Sequence, residues 1–483
     1  MRRELTKYLR LPTMSRMETG AVLSRRPALV GGLLLVLMLL TGLGWAVSSP
    51  VESSPDDNYH LGSIWCPRPA GESCQTSVVD GDPVVRVPIA VADESMRCYV
   101  LQSNKSAGCA LGYNDSHMVW SKRFDNGAYP IGYYHFHHLL VGKDVQTSVL
   151  VMRGVNVLIA VTLLGTIGFC APRQLRRPFI GAIVASWVPM GVYFIASNNP
   201  SSWAVSGLMA YSAATFMAPQ QHGRRRIALV ICAVIGAVMC LTSRYDAAFF
   251  LLVVGLALLF AVPWKRGGWI GLSALAGVAL LGFGTFMASS QVSKVAYFLR
   301  VFEASDPAKS ADKQPFFEKL LVGLETAPKY LGGFWGHTWT PGWHDVPLGA
   351  RAPYVLTIMA AGAFVAVGLR RGGWRKWTAL AIIVGSMVLL PALFYANGAM
   401  DTIELYQARY IFPLLAPTFF LMLAVDQDEG AWFTVPQAVW VTVFISLCQT
   451  ITLHTLLLRF VQGAQERWEL DLNKHIEWWW SAP

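Results

Sequence analysis

Charge is what this sequence has least of. Asp, Glu, Lys and Arg make up 14% of its 483 residues, where a water-soluble chain carries about 25%. That shortage excludes a cytosolic enzyme, a secreted domain stapled by disulfides and a disordered regulator. A phosphate-binding loop, a dinucleotide fingerprint and an HExxH motif are also missing, so nucleotide-driven work is not expected of this chain itself. Its eight cysteines include no CxxC pair, which argues against zinc. What is present is apolar: 54% hydrophobic residues and a mean hydropathy of +0.42. These residues gather in uncharged runs such as Ala28 to Ser48, Gly267 to Ser293, Trp377 to Met400 and Gly430 to Leu458. Each is long enough for a membrane-crossing helix of roughly 20 residues.

The net charge of +10 reflects clusters placed between apolar runs: Arg173, Arg176 and Arg177; Arg224 to Arg226; Lys265 and Arg266; Arg370, Arg371, Arg375 and Lys376. Such clusters on alternate loops mark the cytoplasmic side of a membrane protein. They argue for topology and against a nucleic-acid partner. The first apolar run follows a basic stretch and exceeds the apolar core of a cleavable signal peptide. It is therefore expected to remain as the first helix, with the N-terminus cytoplasmic.

Helices are expected near 28–48, 149–171, 178–196, 203–219, 227–242, 247–264, 268–289, 352–369, 377–396, 409–425 and 432–458. All four basic clusters then fall on the inner face. The expected fold class is an all-α polytopic membrane protein, a bundle of about eleven transmembrane helices with two extracytoplasmic loop regions, 49–148 and 290–351. Residues 1–27 form a basic cytoplasmic N-terminus, 28–425 the membrane domain, and 426–483 the last crossing with a Trp-rich extracytoplasmic C-terminus. The first outer region holds Cys66, Cys74, Cys98 and Cys109, enough for two disulfides in any of three pairings. Lys294 to Lys329 reads either as an amphipathic helix on the membrane or as a solvated connector.

The sharpest local pattern is Ser53-Ser54-Pro55-Asp56-Asp57-Asn58-Tyr59-His60. Ser54, Pro55 and two acids make a helix start, since Ser caps, Pro fits the first turn and carboxylates suit the positive end of the dipole. A helix begun there sets Asp56 and His60 on one face. The first outer region also holds His117 and the run Tyr134-His135-Phe136-His137-His138. A divalent metal on Asp57, His60 and His137 is conceivable, but none is expected and cofactors stay open. Trp335, Trp339 and Trp343, four apart beside His344 and Asp345, offer either a sugar-binding face or an interfacial aromatic belt.

Several short motifs then line up in order: Trp45; Ser53 to Asp57 with His60; Tyr129-Pro130-Ile131-Gly132-Tyr133-Tyr134; Asn199-Pro200-Ser201-Ser202-Trp203; and Gln407-Ala408-Arg409-Tyr410 with Pro413. Together, over roughly residues 28–425, they resemble a family of bacterial multipass proteins known mainly as a domain of unknown function. That family in turn resembles the glycosyltransferase-C superfamily.

The resemblance implies a sugar transferred from a polyprenyl-phosphate donor to an envelope glycan or glycolipid acceptor at the extracytoplasmic face, with membrane lipids around it. It also implies an acid in the first outer loop as general base. By position that acid is Asp56, with Asp57 beside it where the resembling pattern usually has Glu, which leaves their division of labour open. Fixed positive charge for the departing phosphate would come from Arg409 and Arg244. Arg409 could instead snorkel to headgroups, and Arg244 could pair locally with Asp246. Substrate contacts are expected from His60, Tyr133, Tyr134, Asn199, Trp203, Trp339 and His344. A transporter or flippase of lipid-linked glycan, or a noncatalytic envelope-assembly subunit, is the alternative.

Overall fold

A computed structural model describes residues 27–463 apart from 93–97, 103, 113–116, 265–267, 290–314, 338, 347, 349–351, 399–402, 404–405 and 427–431. The N-terminal basic stretch, Lys265 with Arg266, the first part of the 294–329 segment and Trp478 to Trp480 lie outside the described residues.

The chain is an all-α polytopic membrane protein. Helix α1 (Pro27–Val47) leads into α2 (Asp57–Trp65). After a three-stranded sheet come α3 (Gly132–His138), α4 (Val145–Cys170), α5 (Arg173–Ser186), α6 (Pro189–Ile195), α7 (Ser201–Met217), α8 (Gly223–Ser243), α9 (Tyr245–Ala261) and α10 (Trp269–Met287). Then follow α11 (Phe316–Glu325), α12 (Ala352–Gly368), α13 (Trp374–Ala396), α14 (Leu415–Ala424) and α15 (Val435–Gln462).

Nine of the eleven apolar runs expected to be helices are single α-helices; the run over 409–425 begins as two 3-10 turns, Ala408–Tyr410 and Phe412–Leu414, and is α-helical only as α14. Among the described residues six helices are long and apolar enough to cross a membrane: α1 from Leu29, α4, α8, α10, α13 and α15. The run expected as one helix over 178–196 is two, α5 and α6, bent by 87° around Trp187-Val188, and counting that pair as a span makes seven. Pro189 explains the break, because it lacks the N–H that would continue α5. Helices α9 and α12 are apolar but have only 17 residues each.

Lipid-facing and buried surfaces separate as a bilayer demands. Leu29, Leu33 and Leu40 of α1, Ile227 and Val234 of α8, and Val439 and Trp440 of α15 are exposed apolar side chains. Helix α7, by contrast, is buried over almost its whole length. It meets α8 where Gly207 and Gly236 face each other, and a Cβ on either would overlap the other's carbonyl oxygen. Small residues at such crossings let backbones approach where no water is left to drive association.

Between α2 and α3 lies a feature absent from the sequence reading, a small antiparallel sheet of β1 (Thr76–Val79), β2 (Asp82–Pro88) and β3 (Met118–Ser121) in the order β1-β2-β3. Thr76 pairs with Val85 and Val85 with Ser121. The disulfides are Cys66–Cys74, between the end of α2 and the sheet, and Cys98–Cys109. Helix α11 realises the second half of the 294–329 segment, and it packs on α13 with Gly323 against Ala392 rather than standing free.

Two buried arginines tie these polar segments to the bundle. Arg153 of α4 donates to Ser49 O at 2.6 Å, Pro50 O at 2.8 Å and Ala46 O at 3.2 Å. Arg459 of α15 donates to Asp345 Oδ2 at 2.5 Å, Lys105 O at 2.8 Å and Tyr99 O at 2.8 Å. Arg459 thus joins both long polar regions to the last helix. Each guanidinium, taken from water, is stable only because these acceptors surround it.

Candidate functional site

The helix opened by the Ser54-Pro55 turn starts at Asp57, and Asp56 precedes it as N-cap with a left-handed backbone, φ 63 and ψ 14. A non-glycine residue held there is strained and persists only where surrounding contacts fix it. The contacts are visible. Ser54 N and Oγ donate to the Asp57 carboxylate at 3.1 and 2.5 Å, so the acid caps the turn from inside the helix. The expected pairing of Asp56 and His60 on one helical face is therefore corrected: Asp56 is outside the helix, its carbonyl accepts from His60 N at 2.9 Å, and its carboxylate turns elsewhere.

That turn sends the two acids to different partners. Asp57 has no exposed surface and lies 3.7 Å from Arg153. Burial pushes its carboxyl up, partly offset by Arg153 and the Ser54 bonds. The Asp56 side chain keeps 35% of its surface exposed and meets Arg409 Nη2 at 2.6 Å, with Arg123 Nη2 at 3.4 Å. Burial, the largest single influence, would raise its carboxyl too, but its neighbours, Arg409 foremost, together outweigh it and hold the group below the ordinary carboxylate value.

Arg409 stands in a 3-10 turn, Ala408–Tyr410, rather than on a long helix, and is 4% exposed. Its Nη1 donates to Pro55 O at 3.2 Å, while its Nε is buried with no hydrogen bond. Arg244, just beyond α8, makes a bidentate pair with Asp246 at 2.8 and 2.5 Å and donates to Ser201 Oγ at 2.8 Å. Both guanidiniums lie over the Tyr410 ring, 5.2 and 5.6 Å from its centre. Arg244 thus has the local partner that was the alternative to a phosphate role, yet remains next to Arg409.

An aromatic wall completes this side. His60 packs on Tyr129 with centroids 5.2 Å apart, and its Nδ1 is 3.0 Å from Tyr134 Oη. Burial lowers His60 to about 3, so the ring is neutral at physiological pH. Asn199 donates to Pro55 O at 3.2 Å, and the neighbouring Asn198 side chain is fully buried with neither amide atom bonded. From the second long polar region, His344 is also lowered, by burial first and then by Arg409. Its Nδ1 meets Thr340 O at 3.2 Å and its Nε2 is buried without a partner. Trp339 stacks edge-on against His344 at 5.2 Å and packs on Gly333.

The structure therefore brings together Asp56, His60, Tyr134, Asn199, Arg244, Arg409, Trp339 and His344. It sets Tyr133 and Trp203 apart, in a buried network behind the wall. There His137 bonds Tyr133 O at 2.9 Å and Asn156 Oδ1 at 3.0 Å, and Trp203 donates to the same Asn156 oxygen at 3.1 Å. Asp57, His60 and His137 belong to three different networks, and no group of three metal-ligating side chains occurs among the described residues. Arg123, Arg153 and Arg459 were missed by the sequence reading. Arg153 could have been noticed as a charge lying within an expected membrane helix, where charges are rarely tolerated without a role, and Arg459 as the charge that ends the last apolar run. A cavity of about 610 Å³ opens nearby, walled by Arg68, Phe124, Asp125 and Ile131, and Asp125 also accepts from Tyr59 Oη at 3.0 Å.

Comparison with known proteins gives a family and no activity. The family described as "Predicted membrane protein (DUF2142)" matches residues 39–418. The chain belongs to that family, as the ordered motifs led one to expect. No curated protein and no solved structure matches it.

Proposed function

We propose, taking membership of that predicted-membrane-protein family as the premise, that the protein is a glycosyltransferase. In this reading it moves a sugar from a polyprenyl-phosphate donor to an envelope glycan or glycolipid at the extracytoplasmic face. The observation that carries the reading is the 2.6 Å contact between a part-exposed Asp56 carboxylate and a buried Arg409 guanidinium, 353 residues apart in sequence. The facing arrangement supplies a proton acceptor and a phosphate holder in one place. Unpartnered Arg409 Nε, His344 Nε2 and the Asn198 amide are the buried polar groups a ligand would satisfy. Orientation is supported by the basic clusters that the described residues place at the other end of the bundle, among them Arg173, Arg177 and Arg375.

The transfer is a displacement. An acceptor hydroxyl oxygen bonds to the anomeric carbon, the carbon to phosphate-oxygen bond breaks with its electrons staying on phosphate, and the hydroxyl proton passes to Asp56. Arg409 would hold the departing phosphate by its planar fork, with Arg244, which also lies against Tyr410, adding charge. A carboxylate latched to Arg409 is a poor base, because the pair lowers its proton affinity. Donor phosphate competes for the same guanidinium, so its arrival releases Asp56 and raises that affinity when it is needed. The test is transfer by purified protein from radiolabelled polyprenyl-phosphate sugars: Asp56→Asn should abolish it; absence of transfer by the wild type would reject the reading, and equal transfer by the variant would take from Asp56 the role of base.

A second reading, a flippase of lipid-linked glycan, draws on the 87° break between α5 and α6, since broken helices often line transporter sites. Movement of labelled lipid between liposome leaflets, undiminished by Asp56→Asn, would favour it over the transferase.

A further inference from the structure

The 26 residues of α4 run about 39 Å from the Asp56 end to the opposite end of the bundle. There a cavity of about 590 Å³ opens where the start of α5, the ends of α7, α9 and α14, and the start of α13 meet. Its rim carries Arg173 and Arg177, one helical turn apart on α5, and Arg375 of α13. Phe216, Pro263 and Trp432 supply apolar wall.

Neighbouring cations are used up locally, but these three are not. Arg176 donates to Ala171 O at 3.3 Å, and Lys376 to Gly368 O at 2.5 Å and Arg371 O at 2.7 Å. Arg173 and Arg177 are exposed and carry no hydrogen bond or ion pair among the described residues, and Arg375 only lies over Trp374 at 5.8 Å. Among the described residues the one carboxylate lining the cavity, Asp426, accepts from Gly373 N at 2.9 Å. Positive charge on this side is enough for topology. Three arginines converging on a cavity with apolar walls are more than topology requires.

We propose that this cavity binds the phosphate headgroup of an acidic membrane lipid. Guanidinium forks on two sides suit bidentate contacts to phosphate oxygens, and the apolar wall suits the glycerol and first methylenes of the chains. The site lies at the end of the bundle opposite Asp56 and does not depend on the transferase reading.

The test uses the full chain, delipidated in detergent, with bound lipid counted by native mass spectrometry during titration with phosphatidylglycerol, phosphatidylcholine or inorganic phosphate. Wild type should retain phosphatidylglycerol in preference to phosphatidylcholine. The triple variant Arg173→Gln, Arg177→Gln, Arg375→Gln should need about tenfold more of it, or worse, since charged hydrogen bonds are lost. The control Arg224→Gln, Arg225→Gln, Arg226→Gln changes the charge of the same end equally but touches no cavity wall, and should behave as wild type. Equal loss in both triples would overturn the proposal, as would saturation by inorganic phosphate with no preference for phosphatidylglycerol. If the cavity triple does not fold, Arg177→Lys keeps the charge and loses the fork. A roughly threefold weakening is then expected, and unaltered retention counts against the site.

Discussion

The two ends of the bundle use arginine in opposite ways. At the Asp56 end Arg153, Arg244, Arg409 and Arg459 are all buried, and each contacts a carboxylate. At the other end Arg173, Arg177 and Arg375 are exposed and contact none among the described residues. A desolvated guanidinium must be surrounded by acceptors, so it fixes geometry and its loss leaves partners stranded. A solvated one costs nothing to keep unpaired and stays available to a ligand. Burial, not residue type, divides architecture from recruitment in this protein.

The largest effect that could break this contrast is at Arg153. Arg153→Ala strips Asp57 of its charge partner and three carbonyls of their donor, and breaking a buried pair costs about 3–5 kcal/mol. Arg224→Ala, exposed at the opposite end, should stay within about 0.5 kcal/mol. Thermal unfolding of both variants in one detergent checks this, and similar midpoints would erase the distinction. Next is the clamp on the two long polar regions. Replacing Asp345 by Asn leaves Arg459 buried and uncompensated, with an expected loss of roughly 3 kcal/mol and faster proteolysis between α1 and α4. An unchanged cleavage pattern would remove the clamp.

A smaller effect is expected from Arg409→Lys, which keeps the charge but cannot contact phosphate with a planar fork. Losing one charged hydrogen bond costs about 1.5 kcal/mol, roughly tenfold in donor use. Unaltered donor dependence would take Arg409 out of the site. The smallest concerns pH. His60 is lowered from 6.5 to about 3 and His137 to about 4, so the unfolded chain binds more protons than the folded one between those values and 6.5. Their contribution is therefore complete above about pH 6.5 and is lost as pH falls towards the folded values. His60→Gln should flatten the fall in unfolding temperature between pH 6.5 and 4, and a slope identical to wild type would contradict the buried neutral ring.

Much of the bundle was legible because uncharged apolar runs have one solution in a bilayer, a helix with its backbone bonded to itself. The 87° break within 178–196 was less so, since Pro189 lies in the middle of a run that hydropathy treats as continuous. Asp56 and Arg409 were recognised singly, by order of motifs. Their contact was not, because nothing local links residues so far apart. The sheet around Val84-Val85-Arg86-Val87 was overlooked inside a region read only as polar.

Sequence alone settled that this chain belongs in a membrane and that its polar residues collect in two connecting regions, because hydropathy acts on each segment independently of the others. Which of two adjacent aspartates meets solvent, and which arginine meets it, was decided only by the fold. A left-handed residue at position 56 sends neighbouring carboxylates in different directions, one into a sealed turn and one towards a guanidinium delivered from the far end of the chain.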